Sequence, residues 1–261
     1  MPKLTNESRQ AINKETAIQP TPIIKSIIEQ LNYPYRILPK GLTIDEVMRI
    51  YTEAAEKGKK EGFTPILVPE DEILDEYFGI LRDEDQYSVE ETLKKVGCNG
   101  KELLWSHLKE FTDPEDGEAF DEREILGEME NGDAVDVFLS MVDYKDGEIK
   151  QTLLLEIPTR NPWEVVVYVP FGGWNECPVP EEMAEICRYW FEKYGAVPAV
   201  ITHDTLEFLL PKPIAKDEAM ETAKEHLAFC SDRIGQCTES GTVGEVADAL
   251  WQSTVWYFWW D

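Results

Sequence analysis

Residues 255–260 read Val-Trp-Tyr-Phe-Trp-Trp, six large apolar or aromatic side chains in a row. Such a run is too apolar for a solvated tail, and chain segments of this kind fray unless they are tied into a sheet or a core. As a strand, alternation puts Trp256, Phe258 and Trp260 on one face and Val255, Tyr257 and Trp259 on the other. Both faces are bulky, so both need cover. The segment therefore demands an interior strand, or one lying under helices.

Other stretches supply such helices. Thr43 is placed to cap a helix whose apolar stripe is Val47, Ile50, Tyr51 and Ala54, with a stop at Gly58–Gly62 and a buried strand at Phe63–Val68. Ile23–Leu31 reads as a short helix, Glu70–Leu81 as an acidic one, and Ser88 with Glu91 as a capping box ahead of helices split at Gly97 and Gly100. Pro180 opens a helix with Met183, Ile186, Cys187, Trp190 and Tyr194 inward, and Gly195 closes it. Val197–Thr202 and Thr205–Leu210 are expected strands; Asp217–Phe229 and Thr242–Leu250 are expected helices. Alternation at Val135, Val137, Leu139 and Met141 predicts a strand, Asp146-Gly147 a hairpin turn, and Ile149–Ile157 its partner. Trp163–Val169 is apolar on both faces and predicts a doubly covered strand. Helix, glycine stop, proline and buried strand occur twice, at 56–68 and 192–201, which suggests a duplicated αβ unit. The expected class is α/β or α+β: a mixed sheet with packed helices and a helical, acidic N-terminal lobe. The expected divisions are an arm at 1–22, a lobe at 23–133 and an α/β part at 134–261.

Charge narrows the partners. The chain holds 25 Lys and Arg against 52 Asp and Glu, net −27. Residues 1–62 are net +2, 63–150 net −18 and 151–261 net −11; 113–133 alone carry ten acids and one arginine. Such a surface repels phosphate backbones and anionic lipid. Nucleic acid and membrane are not expected partners; a basic protein is. No apolar run reaches the length of a membrane span, and residues 1–22 lack the apolar core of a signal peptide, so a cytoplasmic location is expected. The five cysteines, Cys98, Cys177, Cys187, Cys230 and Cys237, form no CxxC and read as free thiols.

Four blocks also carry a resemblance: PWEVVVYVPFGGWNECP at 162–178, RYWFEKYGAVPAVITHDTLEF at 188–208, AKEHLAFCSDRIGQ at 223–236 and VWYFWWD at 255–261. In order and spacing they resemble the family catalogued as domain of unknown function 4253, over about residues 160–261. The resemblance implies a fold region and a bacterial setting; it implies no reaction, ligand or catalytic residue.

Chemistry must therefore come from the residues. His226 and Cys230, four apart on one expected helix, have the spacing of two metal ligands, with Cys237 and His203 as the other candidates nearby, but a closed zinc site has tighter Cys/His pairs than these, and no metal or other cofactor is expected. A nucleophile set could be drawn from Cys230 or Cys177, His203 or His226, and Asp204 or Asp232, without a nucleophile elbow. GxGxxG and Walker sequences are absent. The two-glycine loop Gly172–Cys177, presenting Trp174, Asn175 and Glu176, reads as a tight turn or as the rim of a ligand pocket. Two function classes follow. The first is a non-catalytic protein-binding module, for instance an immunity-type protein that neutralises a toxin. The alternative is an enzyme or small-ligand binder using the Gly172–Cys177 loop with His203, Asp204 and Asp232.

Overall fold

The computed structural model describes residues 18–83, 87–112 and 125–261. In chain order its elements are α1 (Pro22–Leu31), β1 (Tyr35–Leu38), α2 (Ile44–Glu61), β2 (Thr64–Pro69), α3 (Glu72–Asp83), α4 (Val89–Lys95) and α5 (Gly100–Thr112). Then come β3 (Thr152–Ile157), a single turn α6 (Val165–Tyr168), α7 (Pro180–Tyr194), β4 (Val197–Ile201) and β5 (Thr205–Leu209). α8 (Ala219–Phe229), the short α9 (Asp232–Gly235), α10 (Val243–Leu250) and β6 (Val255–Trp259) follow. Of the expected arm, residues 1–17 lie outside the described residues. Residues 18–22 are docked: the Thr21 amide donates to Gln151 Oε1 at 2.8 Å, and the Thr21 hydroxyl caps α1.

The class is α/β, with one mixed sheet ordered β1-β3-β2-β4-β5-β6. β2 and β4 are parallel neighbours, and the other pairings are antiparallel. The carboxyl ends of β2, β4 and β6 therefore share one edge of the sheet. Helices cover both faces. Val47, Ile50 and Tyr51 of α2 pack with Leu67, Leu154 and Val200 on one side. Met183, Ile186 and Trp190 of α7, with α1, α3, α8 and α10, fill the other. The two similar αβ units are thus real as geometry: each helix ends on a left-handed glycine, Gly62 (φ 90°) or Gly195 (φ 74°), and Leu67 lies opposite Val200. Their helices nevertheless cover opposite faces of the sheet.

Capping explains where the helices begin. Thr43 and Glu46 close a full capping box on α2, with Thr43 N donating to Glu46 Oε2 at 2.9 Å. The Ser88 hydroxyl accepts from Glu91 N at 3.3 Å, and Thr242 does the same for Glu245 N. Glu185 on α7 accepts from the amides of Gly97 (3.1 Å) and Asn99 (2.5 Å), pinning the α4–α5 turn to α7. Among the described residues no helix is long and apolar enough to cross a membrane.

Two expected strands are not strands. Residues 163–169 form a 3-10 turn, Pro162–Glu164, followed by α6. Pro162 cannot donate to a ladder, and Glu164 holds the turn by accepting from the Thr159 hydroxyl and, at 2.8 Å, from Asn161 Nδ2. Val165, Val166, Val167 and Val169 are all buried, so an apolar run on every side marks a helical turn inside the core here, a case periodicity alone cannot separate from a buried strand. Segment 135–141 is likewise irregular. The amides of Leu139 and Ser140 donate to Glu207 Oε2 and Oε1 at 2.9 and 2.7 Å, instead of to a neighbouring strand. Phe138 and Met141 point inward and Leu139 is exposed, which breaks the expected alternation. The turn at Asp146-Gly147 exists, but only as the bridge Val142–Ile149; the following strand, β3, pairs with β1 and β2. Burial pushes the Glu207 carboxyl up to about 7, against the donors from Ser140 and Leu139.

β6 is covered on one face by the largest aromatic cluster among the described residues. Trp190 stacks on Phe258 (5.6 Å between centroids, 7° between planes) and meets Trp256, Phe208 and Phe229 edge-on. Trp256, Phe258 and Trp260 are buried. Removing one such side chain costs roughly 3–5 kcal/mol, and a whole domain holds only about 5–15 kcal/mol. Deleting residues 254–261 should therefore abolish the cooperative thermal melt followed by circular dichroism. A cooperative melt near the full-length temperature would show that β6 is dispensable to the core.

Candidate functional site

The parallel neighbours β2 and β4 send the chain in opposite directions: the strand after β2 is β3, on its outer side, and the strand after β4 is β5, on the other. In open α/β sheets this switch point, at the carboxyl ends of the strands, is where crevices form. Here the two strand ends present Asp71 and His203. Asp71 stands just past β2, caps α3 by accepting from Leu74 N at 3.0 Å, and is buried. Its second oxygen accepts from the His203 amide at 2.9 Å and faces His203 Nδ1 at 2.7 Å.

The other ring nitrogen of His203, Nε2, lies 3.3 Å from Asp204 Oδ2. That oxygen also accepts from Trp259 Nε1 at 2.8 Å, and Asp204 Oδ1 accepts from the hydroxyls of Thr202 and Thr205, each at 2.9 Å. The imidazole is thus held at both ends by carboxylates. Its hydrogen bond to Asp71 raises its pKa above the ordinary 6.5; burial opposes this, the Asp71 and Asp204 charges add to it, and Lys150 opposes it. Burial pushes the Asp71 carboxyl up, but the hydrogen bonds from His203 and the Leu74 and His203 amides together hold it below its ordinary 3.8. An imidazole held in this way is biased toward its protonated form and joins β2, α3, β4 and β6. To act as a general base it must give up one of its carboxylates. The hydroxyls beside it, Thr202 and Thr205, are themselves committed to Asp204.

The other expected residues gather on the far side of β6. Gly172 (φ 101°) has Pro178 O at 2.0 Å from the position of an added Cβ, so only glycine fits there. Trp174 packs edge-on against Phe171 (4.9 Å) and Tyr77 (5.9 Å). Asn175 Nδ2 donates to the Asp261 carbonyl, the Ser231 hydroxyl donates to Glu176 Oε2 at 2.9 Å, and Asp261 N donates to Asp232 Oδ2 at 3.0 Å. Trp174, Asn175, Glu176, His203, Asp204 and Asp232 therefore converge on residues 259–261, but as two clusters that β6 separates. The nucleophile set does not assemble: His203 pairs with acids, and the thiols of Cys177 and Cys230 are pushed up by burial, Cys230 to about 12.

His226 sits in the aromatic cluster, 4.7 Å from Trp256 and 4.6 Å from Phe258, and neither ring nitrogen has a partner among the described residues. Burial drives its pKa well below 6.5, so it packs as a neutral ring. Cys230 Sγ donates to Trp259 O at 3.0 Å. Among the described residues no group of three or more His, Cys, Asp or Glu is placed to hold a metal ion.

Asp71 was not singled out from the sequence, because it lies 132 residues from His203 inside an acidic stretch. The available signal was its place after a strand and before a helix, where Asp is a favoured cap.

Residues 153–261 match the model of the family described as Domain of unknown function (DUF4253). No curated protein and no solved structure matches the chain. The matched region begins inside β3 and takes in β4, β5 and β6. It holds His203, Asp204 and Trp259, whereas Asp71 lies outside it, so the clasp ties the region to the N-terminal part of the chain.

The clasp sets a pH dependence. With its folded pKa raised, His203 contributes stability that is complete below 6.5 and is lost as pH rises through the folded value. Asp71, with its folded pKa lowered, contributes stability above 3.8 that is lost as pH falls through its depressed value. Between about pH 6 and 9 the melting temperature of the wild type should fall, and Asp71→Asn or His203→Gln should flatten that fall. Equal slopes in wild type and variants would remove the clasp from the stability of the fold.

Proposed function

We propose that this protein is a cytoplasmic, non-catalytic module that binds a basic protein partner, in the manner of an immunity-type protein that neutralises a toxin. The observation carrying this reading is the uncompensated acidic surface. The few cations are largely consumed within the molecule: Lys40 pairs with Asp146, Arg49 with Glu53, Lys57 with Glu61 and Glu156, Lys94 with Glu90 and Glu91, and Arg188 with Glu192. What remains outside is a field of one sign, which steers oppositely charged partners and gives fast, salt-sensitive association. The five cysteines are free, as suits a reducing compartment.

The enzyme or ligand-binding reading has one observation of its own, the position of His203 at the switch point. It is the weaker reading because both ring nitrogens face carboxylates at 2.7 and 3.3 Å.

Two lysine-rich and glutamate-rich peptides of equal length test the proposal by calorimetry. The lysine-rich peptide should bind and lose at least about tenfold in affinity between roughly 50 and 300 mM salt. The glutamate-rich peptide should not bind. Equal binding of the two, or binding indifferent to salt, would overturn the proposal.

A further inference from the structure

α3 differs from the other helices on the surface. α2, α4 and α7 pair their acids with lysine or arginine three or four residues away. α3 carries Glu72, Asp75 and Glu76 in its first turns with no basic residue before Arg82. Its inner face buries Leu74 and Phe78. Its outer face sets Ile73 (57% exposed) and Ile80 (55% exposed) two turns apart, with the exposed Glu72 and Glu76 beside them.

The apolar strip continues beyond the helix. Tyr77 lies one turn from both isoleucines and meets Trp174 edge-on at 5.9 Å. The glycine loop that holds Trp174 runs beside Val179, which is 40% exposed and within 3.8 Å of where a Gly173 Cβ would stand. Exposed apolar side chains scattered singly need no explanation, but a continuous strip rimmed by acids does. Both ends of the strip are rigidly based: α3 starts at Asp71, clasped to His203, and the loop turns on Gly172.

We propose that the strip of Ile73, Tyr77, Ile80, Trp174 and Val179 is the docking surface for a basic amphipathic segment of the partner, with apolar side chains lying along the strip and Lys or Arg meeting Glu72, Glu76 and Glu176. This rests on the protein-binding reading above and names its surface. Charge complementarity selects the occupant. A second copy of this chain would bring one −27 molecule against another and set acid against acid, whereas a basic segment neutralises the rim while covering the isoleucines.

The probe is a lysine-rich amphipathic helical peptide with two leucines seven residues apart, and its glutamate-for-lysine twin, titrated into the full chain by fluorescence anisotropy. Ile73→Ser/Ile80→Ser should weaken binding of the lysine peptide by at least about tenfold. Glu72→Gln/Glu76→Gln should flatten the salt dependence of its association rate. Tyr144→Ser, which removes a 90% exposed aromatic from the turn at 143–147 outside the strip, should change nothing. All four substituted side chains on α3 are exposed, so circular dichroism melts should match the wild type. If the isoleucine variant binds like wild type while the lysine peptide is still preferred, the strip is not the docking surface, although a basic partner stands. If neither peptide is preferred, the protein-binding reading itself falls. Reversible dimerisation by sedimentation, abolished by Ile73→Ser/Ile80→Ser, would assign the strip to a second copy and overturn the proposed occupant.

Discussion

The indole of Trp190 is the contact on which the rest depends. It projects from the middle of α7 into a cage made by Phe208 of β5, Trp256 and Phe258 of β6 and Phe229 of α8, with every centroid 4.9–5.7 Å away. Its one polar atom is not wasted: Nε1 donates to Glu225 Oε2 at 2.9 Å. Glu225 also accepts from the Tyr189 hydroxyl at 2.7 Å and from Lys193 at 3.2 Å, so a buried carboxylate is repaid by three donors, all from α7. One helix thus grips both the sheet, through rings, and α8, through a charge-assisted network. Wherever α7 lies, β6 must follow.

That grip explains the geometry of the edge. Fixing β6 beside β5 brings Trp259 to Asp204 and the Trp260 amide to Asp204 O at 3.0 Å, and these hold Asp204 against His203. His203 in turn reaches Asp71, the first fixed point of α3. A packing constraint deep in the molecule is passed to the surface helix through four hydrogen-bonded residues. The chain from core to α3 has no flexible link between Trp190 and Asp71, because each member is a strand end, a tight turn or a cap.

Legibility in the sequence followed the range of the interactions. Helices with local signals were readable: Thr43 and Glu46 three apart, Pro180 and Gly195 at the two ends of one stripe, and Ser88 with Glu91. The aromatic segment was readable because its composition leaves few solutions. The α6 turn and segment 135–141 were not, for different reasons: α6 closes its backbone bonds locally, Val169 N to Val165 O, while burying valines on every side, and in segment 135–141 the amides of Leu139 and Ser140 go to the distant Glu207 carboxylate. Period counts assume that backbone pairs with backbone. Of the site, the residues were legible and their grouping was not. His203, Asp204 and the Gly172–Cys177 loop announce themselves as a turn and a glycine pair, but the partition by β6 and the role of Asp71 depend on which strand lies beside which.

Two populations account for part of the acidic excess once burial is known. Glu225, Glu207 and Asp71 are buried and each is met by two or more donors, so their charge is spent on holding elements together. Most exposed acids on α2, α4 and α7 are balanced by neighbours on the same helix, pairs that contribute only about 0.3–0.5 kcal/mol each and serve chiefly to cancel charge. Glu72 and Glu76 on α3 belong to neither population. Among the described residues neither has a side-chain partner, although their helix is anchored at its start through Asp71. Unbalanced charge on a rigid, partly apolar surface works against the isolated molecule by self-repulsion, and it becomes favourable when an opposite charge covers it. Other exposed acids, Asp45, Glu128, Glu130 and Asp133, also stand without a side-chain partner among the described residues; what sets Glu72 and Glu76 apart is that they flank the exposed Ile73 and Ile80.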